Sequence, residues 1–138
     1  MSYFINPVQA DQCVFLTYEG EMPPVEVAVV RSAAAGLLAA NHWNRMVVDI
    51  TELQSVPLAL ELFELGRGMA SDLPPSARVA LVVRPEQASQ GEYVEKVARS
   101  DGVFLNFFFD PENATTWVSG MKGSAQILME NRKLRISG

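Results

Sequence analysis

One cysteine and one histidine in 138 residues leave the chain without the raw material for two common kinds of site. Cys13 has no second cysteine to join, so no internal disulfide can form, a usage that fits a reducing cytoplasm. Without paired cysteines or a histidine-rich stretch, a zinc site has no ligand set. Basic charge is also scarce: 11 lysines and arginines against 16 acidic residues give a net charge of -5. That balance argues against a nucleic-acid partner, whose phosphates call for a clustered basic face. No apolar run approaches the ~20 residues that a membrane span requires. Residues 1–7 carry neither a basic segment nor an apolar one long enough for export. A soluble, cytoplasmic protein is the expectation.

The signatures of nucleotide and acyl chemistry are missing too. The chain has no Gly-x-Ser-x-Gly elbow, no phosphate loop ending in Gly-Lys-Ser/Thr and no dinucleotide fingerprint. Gly66-Arg67-Gly68 lacks the third glycine and reads as close packing of a helix on a sheet. No catalytic, cofactor-binding or metal residue is therefore assigned, and no cofactor is expected.

What is present suits a single globular domain. The apolar fraction is 49% and the charged fraction 20%. Residues 3–8 and 13–18 are short β-prone runs flanking Gln9-Ala10-Asp11-Gln12, the pattern of a hairpin. Pro23-Pro24 opens a helix in which Val25, Ala28, Val29, Ser32, Gly36, Leu37 and Ala40 form the stripe expected to lie on a sheet. The alternation of Val25, Val27 and Val29 offers a strand instead, which the alanine-rich continuation opposes.

Residues 45–50 read as a buried strand ending near Asp49, and residues 79–83 as another. Between them Ser55 can cap a helix with Pro57 in its first turn and Leu58, Leu62, Leu65 and Met69 inward. Residues 87–100 predict a third helix, with Val94, Val97 and Ala98 inward and Gly102 as its stop. Residues 103–109 form a strand apolar on nearly both faces, expected at the sheet centre or against a second subunit. Asp110 can cap a fourth helix with Pro111 at its first position and Ala114, Trp117 and Val118 inward. The fold class that follows is α/β: a mixed sheet of about five strands, an N-terminal hairpin plus parallel strands, covered by helices.

Residues 1–120 are expected to form the domain and 121–138 a C-terminal appendage. In the appendage, residues 127–129 and 134–136 suit two strands or one short amphipathic helix, docked on the domain or exchanged with a second subunit. Lys122, Arg132, Lys133 and Arg135 face only Glu130 there, which makes a solvated basic end or a surface for an acidic partner.

Several fragments, in this order, carry a resemblance. Val14-Phe15-Leu16 leads to Glu19-Gly20, and Met46-Val47-Val48-Asp49-Ile50 ends in an aspartate. Ala77-Arg78-Val79-Ala80-Leu81-Val82-Val83 follows, then Phe108-Phe109-Asp110-Pro111-Glu112-Asn113-Ala114 with Trp117-Val118. Together they resemble the SpoIIAA-like branch of small bacterial STAS/SEC14-type domains, from about Cys13 to Trp117. The resemblance implies the STAS/SpoIIAA-like sheet and a regulatory or protein-interaction role without enzymatic activity. It departs from the phosphorylatable antagonists of anti-sigma factors at their Asp-Ser-Ser-Gly element. Here that stretch reads Thr51-Glu52-Leu53-Gln54-Ser55-Val56-Pro57, with Ser55 near the right place but its flanking aspartate and glycine absent.

If the three strands after the hairpin are parallel neighbours, their carboxyl ends share one edge, where open α/β sheets bind ligands. Asp49, Thr51, Glu52, Ser55, Arg84 and Asp110 are the candidate ligand or partner site, with Glu86 beside them. The plainer alternative pairs Asp49 with Arg84 and leaves Ser55 and Asp110 as helix caps. His42 reads as a surface or capping residue, Cys13 as packed or half-exposed, and Glu61, Glu64 and Arg67 as a solvated face. Phe104, Phe107, Phe108 and Phe109 are core, or else the lining of a pocket for a small apolar, lipid-like ligand. The expected partners are a protein or a second copy in a homodimer, with a carrier of such a ligand as the alternative. An enzyme working through Asp49, Glu52 and Arg84 is the third possibility.

Overall fold

A left-handed residue makes the first turn. Gln12, at φ 49°, lets the chain double back from β1 (Ser2–Val8) into β2 (Cys13–Gly20), and the two strands pair antiparallel. The computed structural model describes residues 2–21, 23–54 and 59–120. After the hairpin come α1 (Pro24–Asn41), β3 (Arg45–Leu53), α2 (Ala59–Asp72), β4 (Arg78–Val82), α3 (Ala88–Ser100), β5 (Phe104–Phe108) and α4 (Pro111–Val118). The five strands stand in the order β1-β2-β3-β4-β5, and every pair after the hairpin is parallel. The expected mixed sheet is thus present. Ser55 and the appendage 121–138 lie outside the described residues.

Strand periodicity divides the side chains between two cores. Leu16, Val48, Leu81 and Phe107 face one way and pack with Val30 and Leu38 of α1, Met69 of α2 and Val94 and Ala98 of α3. Val47, Val82 and Phe108 face the other way, against Ala114, Trp117 and Val118 of α4. Three helices therefore cover one face, and one short helix covers part of the other. On that second face Phe4 of β1 is left 57% exposed.

The structure places the inward stripe of α1 differently from the sequence expectation. Val27, Val30, Ala34 and Leu38 are buried, whereas Val25, Val29, Ser32, Gly36 and Ala40 face solvent. The helix is apolar or small on almost every side, so composition does not fix which side meets the sheet. His42 ends it in the left-handed conformation at φ 58°, exposed, with its N–H on the carbonyls of Ala39 and Leu38.

The glycines of α2 pack against helices rather than against the sheet. A β-carbon at Gly66 would come within 2.8 Å of Val97 Cγ1 on α3, and one at Gly68 would collide with the Arg31 guanidinium of α1. Arg31 is held by an ion pair of 2.7 Å to Asp72 at the end of α2. Arg67, between the two glycines, pairs with Asp101 at 3.2 Å and is exposed like Glu64.

β5 is an edge strand, not a central one, yet both its faces are covered. Its outer edge is closed by α3: Glu95 Oε2 accepts from the Phe107 N–H at 3.0 Å, and Arg99 Nε donates to the Leu105 carbonyl at 2.7 Å. Side chains thus take positions that another strand would otherwise fill.

Candidate functional site

The carboxyl edge of the sheet is shaped by a bulge in β3. Thr17 opposes Asp49, but Glu19 opposes Glu52, so β3 carries one residue more than β2 over this stretch. Asp49 turns back on its own chain: Oδ1 accepts from the Thr51 N–H at 2.8 Å and from Thr51 Oγ1 at 2.7 Å. β3 also runs past the end of β4, whose pairing stops at Asp49 and Val82, so carbonyls on that side have no strand to receive them. Arg84, just past β4, donates through Nη1 to the carbonyls of Thr51 and Leu53, and through Nε to Glu86 Oε2 at 3.2 Å. Asp49 is therefore not the partner of Arg84; the carbonyls of Thr51 and Leu53 are.

Gln87 completes the arrangement. Its Nε2 donates to the Ile50 carbonyl at 2.9 Å, and its Oε1 accepts from the Arg84 N–H at 2.8 Å. It is one of two buried polar residues among those described. Sequence reasoning missed it, although a Gln three residues after Arg84, with Pro85 at the first turn position, is a capping signal.

Of the candidate residues, the structure brings Asp49, Thr51 and Arg84 into one hydrogen-bonded group. Glu52 stands beside them, exposed, with the like charge of Glu19 directly opposite. Asp110 is separate: it caps α4, accepting from the Glu112 N–H at 2.9 Å, at the end of a strand two places from β3. Among the described residues, no group of three or more His, Cys, Asp and Glu is placed to hold a metal ion. Nor is any helix long and apolar enough to cross a membrane.

The phenylalanines of β5 do not share one wall. Phe107 is fully buried on the face of α1 to α3, edge-on to Phe109, while Phe108 is fully buried against Trp117 on the face of α4. Phe104 is 47% exposed and stacks on Trp117 with centroids 5.4 Å apart. Cys13 is packed under the same face, and burial, aided by the negative charge of Asp11, pushes its thiol up to about 12. Arg45 works in the other direction but does not prevail, so the thiol stays protonated and inert near neutrality.

Beside the carboxyl edge, the start of α1 presents the most exposed apolar side chains in this part of the molecule. Val25 is 75% and Val29 63% exposed, and Glu21 and Glu26 flank them in exposed positions. The bulged end of β3 reaches the same corner, where the Gln54 N–H donates to the carbonyl of Gly20 at 2.8 Å.

No family model matches the chain, and no curated protein or solved structure matches it.

Proposed function

We propose that this protein is a non-enzymatic interaction module that binds a partner polypeptide through the exposed face of α1 beside the strand-end loops. The observation that carries this reading is the outward stripe of Val25, Val29, Ser32, Gly36 and Ala40 on a helix whose other apolar side is already in the core. Two large aliphatic side chains at one end and small residues along the rest allow another helix to approach closely. Glu21 and Glu26 at the apolar end, with Glu52 and Glu19 at the neighbouring loop, favour a partner whose apolar helix is flanked by lysine or arginine. The resemblance to SpoIIAA-like regulatory domains supports the same class of role.

The bonding at the strand ends gives this reading its shape. Asp49, Thr51, Arg84 and Gln87 direct their polar atoms to backbone groups and to one another, which holds the loop in place and leaves Glu52 to face a partner. A carrier of an apolar ligand draws its support from the phenylalanine strand, whose two most buried rings part to opposite cores.

The test is a titration of the labelled protein with an amphipathic leucine–lysine helix, read by chemical shifts and sedimentation. Perturbations confined to α1 and the loop around Glu52, lost in Val25→Asp/Val29→Asp, are expected. Self-association without peptide, abolished by the same substitutions, would instead make a second copy the occupant. Binding of a fluorescent lipid probe at micromolar concentration, with α1 unperturbed, would favour the carrier.

A further inference from the structure

We propose that Arg45 and Arg78 form a binding site for a small phosphate, free or as a monoester, at the amino-terminal edge of the sheet. This site lies at the opposite end of the strands from the surface discussed above and is independent of it.

Arg45 and Arg78 are register partners, the first residues of β3 and β4, and their side chains stand on the face that α4 covers. Like charges directly opposite one another in neighbouring strands repel, so the placement needs compensation. None comes from a carboxylate: among the described residues the ion pairs are Arg31–Asp72, Arg67–Asp101 and Arg84–Glu86. The hydrogen bond that Arg45 makes is from Nη1 to the Asp11 carbonyl, a neutral acceptor, at 3.1 Å.

Arg78 is held by its faces instead of its edges. Its guanidinium carbon lies 4.8 Å from the ring centroid of Trp117 and 5.6 Å from that of Phe104. Stacking of this kind fixes the plane of the cation while leaving its in-plane N–H donors for another group. Arg78 Nε is closed to solvent and has no acceptor among the described residues. Burial, with the positive charge of Arg45 adding to it, lowers the affinity of Arg78 for its proton. An anion between the two side chains would reverse both effects. The C-terminal end of α4 contributes only the fractional negative charge of a short helix.

The backbone makes room at this point. Gly120 follows α4 at φ 70°, and a β-carbon there would come within 2.7 Å of Arg78 Nη1. Both arginines are only partly buried, so the pair remains open to a ligand from solvent. Two guanidinium forks offer paired donors to a tetrahedral dianion, a better match than to a carboxylate with one charge and one edge. In a chain of net charge -5, a pair of neighbouring arginines without an ion-pair partner among the described residues is an exception to the general balance.

The experiment follows the arginine Nε–H resonances of the full chain during titration with inorganic phosphate at low ionic strength. Sodium chloride of matched ionic strength and sodium acetate serve as comparisons. The Arg45 and Arg78 signals are expected to move saturably with phosphate, more weakly with acetate and not with chloride. Arg45→Gln, which leaves the stacked Arg78 in place, is expected to weaken phosphate binding by about tenfold or more. Arg78→Gln is expected to do the same, with its fold checked by the Trp117 environment. Glycerol phosphate binding as tightly as phosphate identifies a monoester ligand, and rejection of the ester identifies free phosphate. Equal responses to phosphate and chloride, or stationary Arg45 and Arg78 signals at millimolar phosphate, would overturn the proposal.

Discussion

The Glu95 carboxylate accepts the N–H of Phe107 at 3.0 Å, so a helix side chain stands where a sixth strand would otherwise dock. Removing it leaves a backbone donor at the edge of β5 without its charged acceptor. Glu95→Ala is expected to cost about 1–3 kcal/mol in urea unfolding, with Glu95→Gln losing less because an amide oxygen can still accept. The alanine variant should also associate more at high concentration, visible by light scattering.

Gly66 and Gly36 are predicted to respond in opposite directions to the same substitution. At Gly66 the new methyl meets Val97 and the backbone of Ala98, so Gly66→Ala should destabilise by about 1 kcal/mol or more despite the better helix propensity of alanine. Adding Val97→Ala should recover part of that loss. At Gly36 the space is open, and Gly36→Ala should stabilise by about 0.5–1 kcal/mol. Urea midpoints at fixed slope separate the two.

Gln87→Ala is expected to destabilise by about 1–3 kcal/mol, because the Ile50 carbonyl and the Arg84 N–H both lose their partner. Gln87→Glu should be similarly harmful, since a carboxylate keeps the acceptor for Arg84 but cannot donate to the carbonyl. Thermal unfolding of the two variants checks this. If the strand-end loop is a partner surface, the same variants should also weaken peptide binding near Glu52.

Alkaline pH should weaken the fold through two buried acids. Burial raises Cys13 from 9.0 to about 12, and raises Tyr18 from 10.0 to about 12 with Arg31 opposing the rise. Above pH 9 the unfolded chain sheds these protons first, so it binds fewer than the folded chain, and stability must fall as pH rises toward 12. Urea midpoints should decline over that window, and Cys13→Ala or Tyr18→Phe should flatten the decline. At neutral pH Tyr18→Phe should be neutral or stabilising, because the Tyr18 hydroxyl is buried with no partner among the described residues. Cys13 should resist alkylation until the chain unfolds.

The alternation of strands and helices was legible because glycine, proline and β-branched residues mark its boundaries at Pro24, Gly102 and Pro111. Asp110 was legible as a cap because an acid before a proline has a local geometry to satisfy. The facing of α1 was not, since Val25 and Val29 are as apolar as Val27 and Val30, and only the tertiary fit separates them. The bond from Arg84 to the carbonyls of Thr51 and Leu53 depends on β3 running past the end of β4, which no single residue announces. β5 read as central or subunit-facing because its composition is that of a doubly covered strand. The covering of its edge by Glu95 and Arg99 looks, in sequence, like an ordinary solvent-facing pair on a helix.

Because the strands stand side by side in chain order, each one emerging from the ribosome finds its neighbour already made. The sheet can lengthen by accretion, with no strand inserted between two earlier ones, each parallel pairing closing its own helical crossover. α4 is the exception to this early satisfaction. Until its Trp117 and Val118 arrive, Val47, Ala80, Val82 and Phe108 form an uncovered apolar surface on a nascent sheet that is otherwise complete. A stalled chain ending near Phe109 would present that surface to chaperones, whereas one extended past Gly120 would have closed it.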